Sequence, residues 1–173
     1  EDYGLDVKVA RYHNIFGPNG TYDGGREKAP AALCRKIINS ILNQRDVIDV
    51  WGDGKQTRSF LYIDDCIEAT LKLFASEYHG PINIGSEEKV SINEMIDKIE
   101  KISNKKIKRN YQLDKPKGVR GRNSDNTLIR SQLKWEPKFS LYQGLEKTYD
   151  WIYSEIKKKT QSIINVDNFR FKL

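Results

Sequence analysis

Short apolar segments alternate with amphipathic helical segments along the chain, and this alternation restricts the folds that the chain can adopt. The segments with strand character are 7–15, 47–51, 59–63, 81–85 and 107–113. The segments with a 3.6-residue apolar period are 30–41, 64–74, 92–102 and 141–156. Strands that alternate with helices are typical of an α/β fold. A chain of 173 residues has room for one ordinary domain with a hydrophobic core.

Residues that favour a helix N-terminus mark the start of several helical segments. Pro30 lies in a first turn, where proline is well tolerated. Asp64 is predicted to cap the second helix through its side chain. Ser91 and Glu94 have the spacing of a capping box at the start of the third helix. The fourth helix is predicted to start after Ser140, and the segment beyond it shows no clear period.

Composition argues against several classes of function. Hydrophobic residues make up 38% of the chain and charged residues 31%, which indicates a globular rather than a disordered protein. No apolar run approaches the roughly 20 residues that span a bilayer, so we expect no membrane partner and a cytoplasmic location. Cys34 and Cys66 are predicted to be reduced core thiols. With only two histidines beside them, we expect no metal site.

The formal net charge of +6 arises from 30 Lys and Arg against 24 Asp and Glu. A basic chain can bind nucleic acid, a membrane surface or a phosphorylated small molecule. Apart from the lysine run 157–159, the basic residues are spread over predicted helix faces. Because no nucleic-acid-reading motif accompanies the charge, we expect no nucleic-acid partner.

Three predicted loops concentrate polar residues that suit a phosphorylated ligand. These loops are 14–29, 56–58 and 119–125. Arginine suits a pyrophosphate because its planar guanidinium donates two parallel hydrogen bonds, and glycine beside it lets the backbone approach the ligand. Each loop alone is compatible with an ordinary solvated turn. The three together favour a phosphorylated ligand.

Lys28 lies immediately before a predicted helix, with Arg26 nearby. A cation at a helix N-terminus opposes the helix dipole, at a typical cost of about 0.3–1 kcal/mol. Such a lysine could serve as an acid or base. It could equally point into water with its charge screened by Glu27. The residues alone leave both interpretations open.

The glycines at 17, 20 and 24 invite comparison with a dinucleotide-binding loop. That loop requires a tight strand–turn–helix with an acidic residue about 20 residues further on, whereas this one is long and charged. Tyr12 and Tyr62 also have no lysine four residues later. We therefore expect that this chain contains neither a site for NAD nor a catalytic Tyr–Lys pair.

Several motifs resemble landmarks of the extended short-chain dehydrogenases, which include the NAD-dependent epimerases and dehydratases. They are RYHNIFGP at 11–18, WGDGKQTRSFLYIDD at 51–65, NIG at 83–85 and LKWEP at 133–137. Two further strings resemble the GDP-mannose 3,5-epimerases more specifically. They are GGREKAPAA at 24–32 and GVRGRNSDN at 118–126. The resemblance covers roughly residues 4–156.

The resemblance implies a reaction that uses tightly held NAD. The C4 hydroxyl of the sugar is oxidised transiently, and a cysteine and a lysine then exchange protons at C3 and C5. Lys28 matches that lysine, while neither cysteine of this chain matches that cysteine. Other positions match residues that contact the GDP-sugar in that family. They are Asn14, Glu27, Ala29, Lys36, Gln56, Thr57, Arg58 and Arg122. The arginine at 122 is the one expected to hold the diphosphate.

The resemblance also implies a division of the chain. Residues 1–16 are predicted to be the last-strand remnant of a Rossmann domain, 17–158 a sugar-nucleotide-binding domain, and 159–173 a tail without assignment. We expect the chain alone to be inactive and the full-length parent to bind NAD and form a homodimer. Two alternatives stay open. One is a 4-epimerase or 4,6-dehydratase acting on a UDP- or dTDP-sugar, and the other is a non-catalytic nucleotide-binding module.

Overall fold

The computed structural model describes residues 3–116 and 118–170, with side chains described as far as residue 161. The helices of this part are α1 (Ala29–Leu42), α2 (Ile63–Phe74), α3 (Ile92–Ser103), α4 (Thr127–Leu133) and α5 (Leu141–Arg170). The strands are β1 (Val9–Tyr12), β2 (Ile15–Phe16), β3 (Val47–Trp51), β4 (Thr57–Ser59), β5 (Leu61–Tyr62), β6 (Pro81–Ile84), β7 (Lys89–Ser91), β8 (Lys108–Gln112) and β9 (Gly121–Arg122).

The strands form several small sheets in which parallel pairing dominates. β1 pairs with β6, β2 with β5 and β3 with β8, each pair being parallel. In the remaining sheet, β4 lies between the antiparallel β7 and the parallel β9. Parallel strands need crossover connections, and helices provide most of them here. The predicted α/β fold class is confirmed.

Two hydrophobic clusters hold these layers together. The larger one joins α1, α3 and α5 over β3, and several of its residues have no exposed surface: Ile37, Ile38, Ile96, Ile99, Leu145 and Ile152. The smaller one packs α2 and α4 around β6, with Ala69, Ile82, Ile84 and Trp135 almost fully buried. The apolar faces predicted for α1, α3 and α5 are the faces that the larger cluster buries.

The strand predicted over 7–15 is broken into β1 and β2. Asn14, between them, has φ 44°, in the left-handed region that ends a strand. His13 N still donates to Ile84 O (3.0 Å), whereas Asn14 O accepts a hydrogen bond from Leu61 N (3.2 Å). The chain therefore changes its pairing partner from β6 to β5 at this residue.

The prediction of one strand over 59–63 and of an Asp64 cap was wrong in its bounds. The segment contains the end of β4, then β5, and α2 already begins at Ile63 after the N-cap residue Tyr62. Asp64 lies in the first turn instead, where a carboxylate complements the helix dipole. Its buried neighbour Asp65 accepts hydrogen bonds from Lys138 N (3.0 Å) and Phe139 N (3.1 Å).

Other boundaries agree with the sequence or extend it. β3 has the predicted bounds, and the capping box of α3 is confirmed, since the Ser91 and Glu94 side chains each accept from the other's backbone N–H. α4 was not predicted, because seven residues are too few to show a period. α5 extends through most of the tail 159–173, for which the sequence predicts no structure, and residues 171–173 lie outside the described part.

An apolar surface is exposed on α2 and beside β1. Ile67, Leu71 and Phe74 are 51%, 63% and 78% exposed and are spaced four and three residues apart, along one side of α2. Tyr12 of β1 is 51% exposed, and its hydroxyl lies 3.1 Å from Thr70 Oγ1 of the same helix. The second edge of β1 has no paired strand among the described residues.

Candidate functional site

A cavity of about 480 Å³ opens beside the N-terminal half of α1, within the range of small-molecule pockets. It contains four of the residues that the sequence singled out, namely Glu27, Ala29, Lys36 and Gln56. Its apolar lining includes Leu33, Val50, Trp51, Ile92 and Pro116. An apolar slot with a few polar groups is the usual form of a ligand site.

Glu27 is anchored by protein groups through both carboxylate oxygens. Oε1 accepts from Arg35 Nη2 at 2.6 Å, and Oε2 accepts from Gly25 N at 2.7 Å. Partial burial is the largest influence and raises the pKa of Glu27. Hydrogen bonds from backbone N–H groups and from Arg35 outweigh it, so the pKa lies below its usual value. Glu27 is therefore an ionised, fixed group at the cavity wall.

Lys28 occupies the N-cap position of α1 with an extended backbone, φ −73° and ψ 156°. Its side chain is exposed. The prediction that it directly precedes the helix is confirmed. The next residue, Ala29, lines the cavity, so the Lys28 backbone lies at the cavity edge.

Lys36 lies two turns along α1 and reaches across to β3. Its ammonium donates to the backbone oxygen of Asp49 at 2.8 Å. Burial lowers the pKa of Lys36, and the nearby Arg35 charge lowers it further. The Asp49 carboxylate, which also borders the cavity, accepts from the Asn110 amide at 2.7 Å.

Among the described residues, the Gln56 side-chain amide is hydrogen-bonded through its nitrogen only. Its Nε2 donates to Trp51 O at 3.1 Å. Its Oε1 is buried and, among the described residues, has no hydrogen-bond partner. A buried carbonyl oxygen without a donor is costly, typically by about 1–3 kcal/mol, so a ligand N–H or O–H would satisfy it.

The second and third polar loops come together as neighbouring strands. β4 starts directly after Gln56 and pairs in parallel with β9, with Thr57 opposite Gly121 and Arg58 opposite Arg122. Paired residues of neighbouring strands project to the same face, so the two arginines share one face. A Cβ added at Gly121 would lie 3.0 Å from Thr57 Oγ1, and one added at Gly118 would lie 3.2 Å from Arg58 Nη2. Glycine therefore permits this close packing.

Asn14 is hydrogen-bonded to the end of β4. Its amide Nδ2 donates to the backbone oxygen of Ser59, the last residue of β4, at 3.1 Å. The described contacts of the Asn14 side chain are thus structural. Eight of the nine predicted site residues group around the cavity or around β4. The ninth, Lys28, borders the cavity through its backbone.

The glycine-rich segment does not form a dinucleotide-binding turn. β2 ends at Phe16 and α1 begins at Ala29, so a loop of residues 17–28 separates strand from helix. A phosphate-binding turn requires the helix to start directly behind the glycines. The described residues of this segment do not fit NAD in the way that the family's glycine loop does.

The spacing Tyr-x-x-x-Lys does occur, contrary to the expectation drawn from Tyr12 and Tyr62. Tyr111 precedes Lys115 by four residues, and its hydroxyl donates to Asn93 Oδ1 at 2.9 Å. Tyr153 precedes Lys157 on α5, where the lysine Nζ lies 4.6 Å from the centre of the tyrosine ring. None of these side chains lines the cavity.

Sequence reasoning missed the apolar wall of the cavity and Arg35. β3 alternates in burial, with Ile48 and Val50 inside and Asp49 and Trp51 outside. An exposed Trp51 directly before a Gly-Asp-Gly turn is the signal that could have identified this wall. Arg35 lies two residues after Leu33 and two before Ile37, both on the apolar face of α1. Nothing in the sequence shows that its side chain reaches back to Glu27.

The remaining expectations concern groups outside the cavity. Cys34 and Cys66 are buried, and burial raises the pKa of both thiols, so neither is a ready proton carrier. Within the described residues, no group of three or more His, Cys, Asp or Glu is arranged to hold a metal ion. None of the described helices is long and apolar enough to cross a membrane.

Known proteins resemble this chain in sequence. Residues 1–85 match the NAD dependent epimerase/dehydratase family. The chain is 49% identical over 164 residues to GDP-mannose 3,5-epimerase 1 of Oryza sativa subsp. indica, a match that covers 94% of this chain and 42% of that protein. The chain thus spans less than half the length of the relatives that it matches.

Solved structures of nucleotide-sugar epimerases share the fold. UDP-glucose 4-epimerase of Thermotoga maritima, solved with UDP-glucose, matches with a TM-score of 0.79 at 28% identity. The match covers 90% of this chain and 48% of the Thermotoga chain. UDP-glucuronic acid 4-epimerase of Bacillus cereus, solved with UDP-glucuronic acid and NAD, has a TM-score of 0.74 at 31% identity, covering 88% and 47%. By these matches the chain is similar, over part of their length, to the GDP-mannose 3,5-epimerases, and its residues 1–85 match the NAD dependent epimerase/dehydratase family.

Proposed function

We propose that this chain is the sugar-nucleotide-binding part of a GDP-mannose 3,5-epimerase. The observation that carries the proposal is the parallel pairing of β4 with β9, which sets Arg58 beside Arg122 next to the cavity at Gln56. Two arginines on one face match the two charges of a diphosphate. Gln56 Oε1 is a buried acceptor that a nucleotide or sugar donor would satisfy.

Lys28 is proposed to move the proton at a sugar carbon. It is exposed and lies in sequence between Glu27 and Ala29, which both line the cavity, and in this proposal its ammonium reaches the bound sugar. An ammonium can protonate a carbanion beside a carbonyl, and the resulting amine can take a proton back. Glu27 beside it is ionised and is held in place by Arg35 and Gly25.

We propose that the NAD-binding site, the catalytic Tyr–Lys pair and the cysteine that exchanges protons together with Lys28 lie in other residues of a longer protein. When bound, NAD supplies transient oxidation of the sugar at C4, which makes the neighbouring C–H groups acidic. The glycine segment of this chain does not fit that cofactor, so the chain alone is expected to be inactive. A homodimer and a cytoplasmic location stay predictions for the full-length protein.

A second candidate is a 4-epimerase that acts on a UDP-sugar. It is favoured by the fold, since the Thermotoga and Bacillus structures were solved with UDP-glucose and UDP-glucuronic acid. The identity of 49% to a GDP-mannose 3,5-epimerase, against 28% and 31% for those two, favours the GDP-sugar. A 4-epimerase also has no use for Lys28 as a proton donor.

The test uses the full-length protein in heavy water with GDP-mannose, followed by mass spectrometry and proton NMR of the sugar. Deuterium at C3 and C5 is the expected result. Turnover of a UDP- or dTDP-sugar without exchange in GDP-mannose would replace the proposal by the second candidate. Binding of nucleotides without turnover of any sugar would indicate a non-catalytic module.

A further inference from the structure

The loop of residues 17–28, here called the lysine loop, has no regular structure and yet carries Glu27 and Lys28. Gly24 and Gly25 have φ values of 92° and 84°, which side chains rarely adopt. A glycine-rich loop has many accessible conformations, and fixing one of them costs conformational entropy at every residue. Contacts from outside the loop must therefore determine where Lys28 lies.

Arg35 of α1 contacts the lysine loop at three points. Its Nε donates to Tyr22 O at 2.8 Å, and the same nitrogen lies 3.5 Å from the Asp23 carboxylate. Its Nη2 donates to Glu27 Oε1 at 2.6 Å. The Arg35 and Glu27 side chains are 22% and 7% exposed, so this ion pair is shielded from water. One guanidinium thus ties both the middle and the end of the loop to the helix.

The other side of the loop rests on α5. The Tyr22 and Trp151 rings meet edge to face, with centres 5.3 Å apart. Lys159 Nζ lies 4.9 Å from the centre of the Tyr22 ring. The loop is therefore held between two helices, with Tyr22 contacting both.

These contacts have a consequence for the proposed acid or base. Glu27 is covalently joined to Lys28, and both of its carboxylate oxygens are already bonded to Arg35 and Gly25. Glu27 is thus a fixed point one residue from Lys28. Because a displacement of about 1 Å can cost 100-fold in rate, the position of that fixed point matters for proton transfer.

We propose that Arg35 is a positioning residue, which sets the place of Lys28 by holding Glu27 and Tyr22 against α1. The inference rests on the proposed function only in that Lys28 is the group being positioned. Arg35 also borders the cavity, but its described hydrogen bonds and ion pairs all go to the lysine loop. The role assigned to it is therefore separate from binding the nucleotide sugar. Its loss should therefore slow proton transfer and leave ligand affinity nearly unchanged.

The kinetic test compares Arg35→Lys and Arg35→Met in the full-length protein with GDP-mannose, using Arg45→Lys as the matched control. Arg45 is an exposed arginine in the turn after α1. For Arg35→Met we expect kcat to fall about 10- to 100-fold and KM to change less than about threefold. Arg35→Lys should recover part of kcat, since one ammonium can bond Glu27 or Tyr22 O but cannot span both. A raised KM with unchanged kcat would make Arg35 a ligand contact and overturn the proposal.

A double-mutant cycle tests the route through Glu27. If Arg35 acts through that carboxylate, Arg35→Met combined with Glu27→Gln should slow kcat little more than the worse single variant. Effects on kcat that multiply would contradict it. If Arg35→Met does not fold, Arg35→Lys and Trp151→Leu, which loosens the α5 side of the loop, carry the same expectation.

Limited trypsin digestion provides a readout that does not depend on activity. The lysine loop contains cleavage sites after Arg26 and Lys28. Arg35→Met should accelerate cleavage at these sites at least about tenfold, because the opening free energy of the loop falls with the lost contacts, while Arg45→Lys should not. Unchanged cleavage overturns the positioning role. Accelerated cleavage in a protein that does not act on GDP-mannose would leave the positioning role intact and reject the proposed function instead.

Discussion

Arg58 of β4 and Arg122 of β9 are partners in a parallel strand pair, so their side chains project from one face of the sheet. If they bind a diphosphate together, Arg122→Ala should weaken binding of GDP to the full-length protein about 10- to 100-fold. A loss of this size corresponds to one or two charge-assisted hydrogen bonds. Isothermal titration calorimetry with GDP and with guanosine measures this. Guanosine lacks the diphosphate, so its affinity should hardly change.

A comparison variant separates this effect from general loss of positive charge. Arg45→Ala removes an exposed arginine in the turn after α1 and should leave GDP affinity within about twofold of wild type. Equal losses in both variants would mean that net charge rather than the β4–β9 pair attracts the diphosphate.

Lys28→Ala should strongly slow proton exchange at the sugar while NAD stays bound to the full-length protein. General acid–base catalysis typically contributes about 10²–10⁴-fold, so deuterium uptake from heavy water should fall by at least the lower figure. Mass spectrometry of the sugar measures it, and chromatography of the denatured protein measures retained NAD. Lys72→Ala, an exposed lysine on α2, is the control. Wild-type exchange in Lys28→Ala would reject the assignment.

Helices and buried strands followed from the sequence because their signals are local. The apolar faces of α1, α3 and α5 and the bounds of β3 were predicted from periodicity alone. The boundaries near Asn14 and Asp64 were not. They depend on which distant strand each segment pairs with. An alternation of apolar and polar residues predicts a strand but does not specify its partner.

Some residues of the candidate site could be predicted from local motifs, and others could not. Motif resemblance supplied Lys28, Gln56 and the arginines, since each lies in a short contiguous string. Arg35 and Trp51 could not be found in this way, because their role depends on a helix and a strand meeting the lysine loop. Contacts between segments far apart in sequence are set by tertiary packing rather than by local propensity.

Glu27 should make the folded protein sensitive to acid. Burial raises its pKa, but hydrogen bonds from the backbone and from Arg35 outweigh this effect, so the pKa lies below its usual value. A carboxylate with a lowered pKa stabilises the fold above its unfolded pKa, and this contribution disappears as the pH falls through the folded value. Wild-type protein should therefore be more stable than Glu27→Gln at pH 7, and the gap between their urea midpoints should close as the pH falls from about 5 to 3. A gap independent of pH would show that the charge contributes nothing.

Gly144→Ala should destabilise the protein, although the same change in most helices stabilises it. Alanine within a helix is usually favoured over glycine by about 0.5–1 kcal/mol. Here an added Cβ would lie 2.7 Å from Phe16 Cζ and 2.9 Å from Tyr62 Cδ2, both ring atoms in the larger core cluster. We expect a loss of about 1–3 kcal/mol in the free energy of unfolding by urea denaturation. Glu146→Ala, exposed on the same helix, should stay within about 0.5 kcal/mol of wild type.

Glu100 is a buried carboxylate that connects α3 to β8. It accepts from the backbone N–H of Ile107 at 2.9 Å and from Lys106 Nζ at 3.0 Å, and it is 5% exposed. Glu100→Ala would leave the buried Ile107 N–H without its acceptor, at an expected cost of about 1–3 kcal/mol. Thermal unfolding of this variant beside the exposed control Glu77→Ala measures the difference. Equal stabilities would show that water replaces the carboxylate.

The apolar stripe of α2 and the open edge of β1 bear on how this polypeptide behaves when it is produced by itself. Ile67, Leu71 and Phe74 would face solvent beside a strand whose backbone groups can pair with another chain. Recombinant material would then tend towards inclusion bodies or soluble aggregates. Charged replacements such as Leu71→Lys, which touch neither the cavity nor the lysine loop, are the first changes to make for handling it in solution.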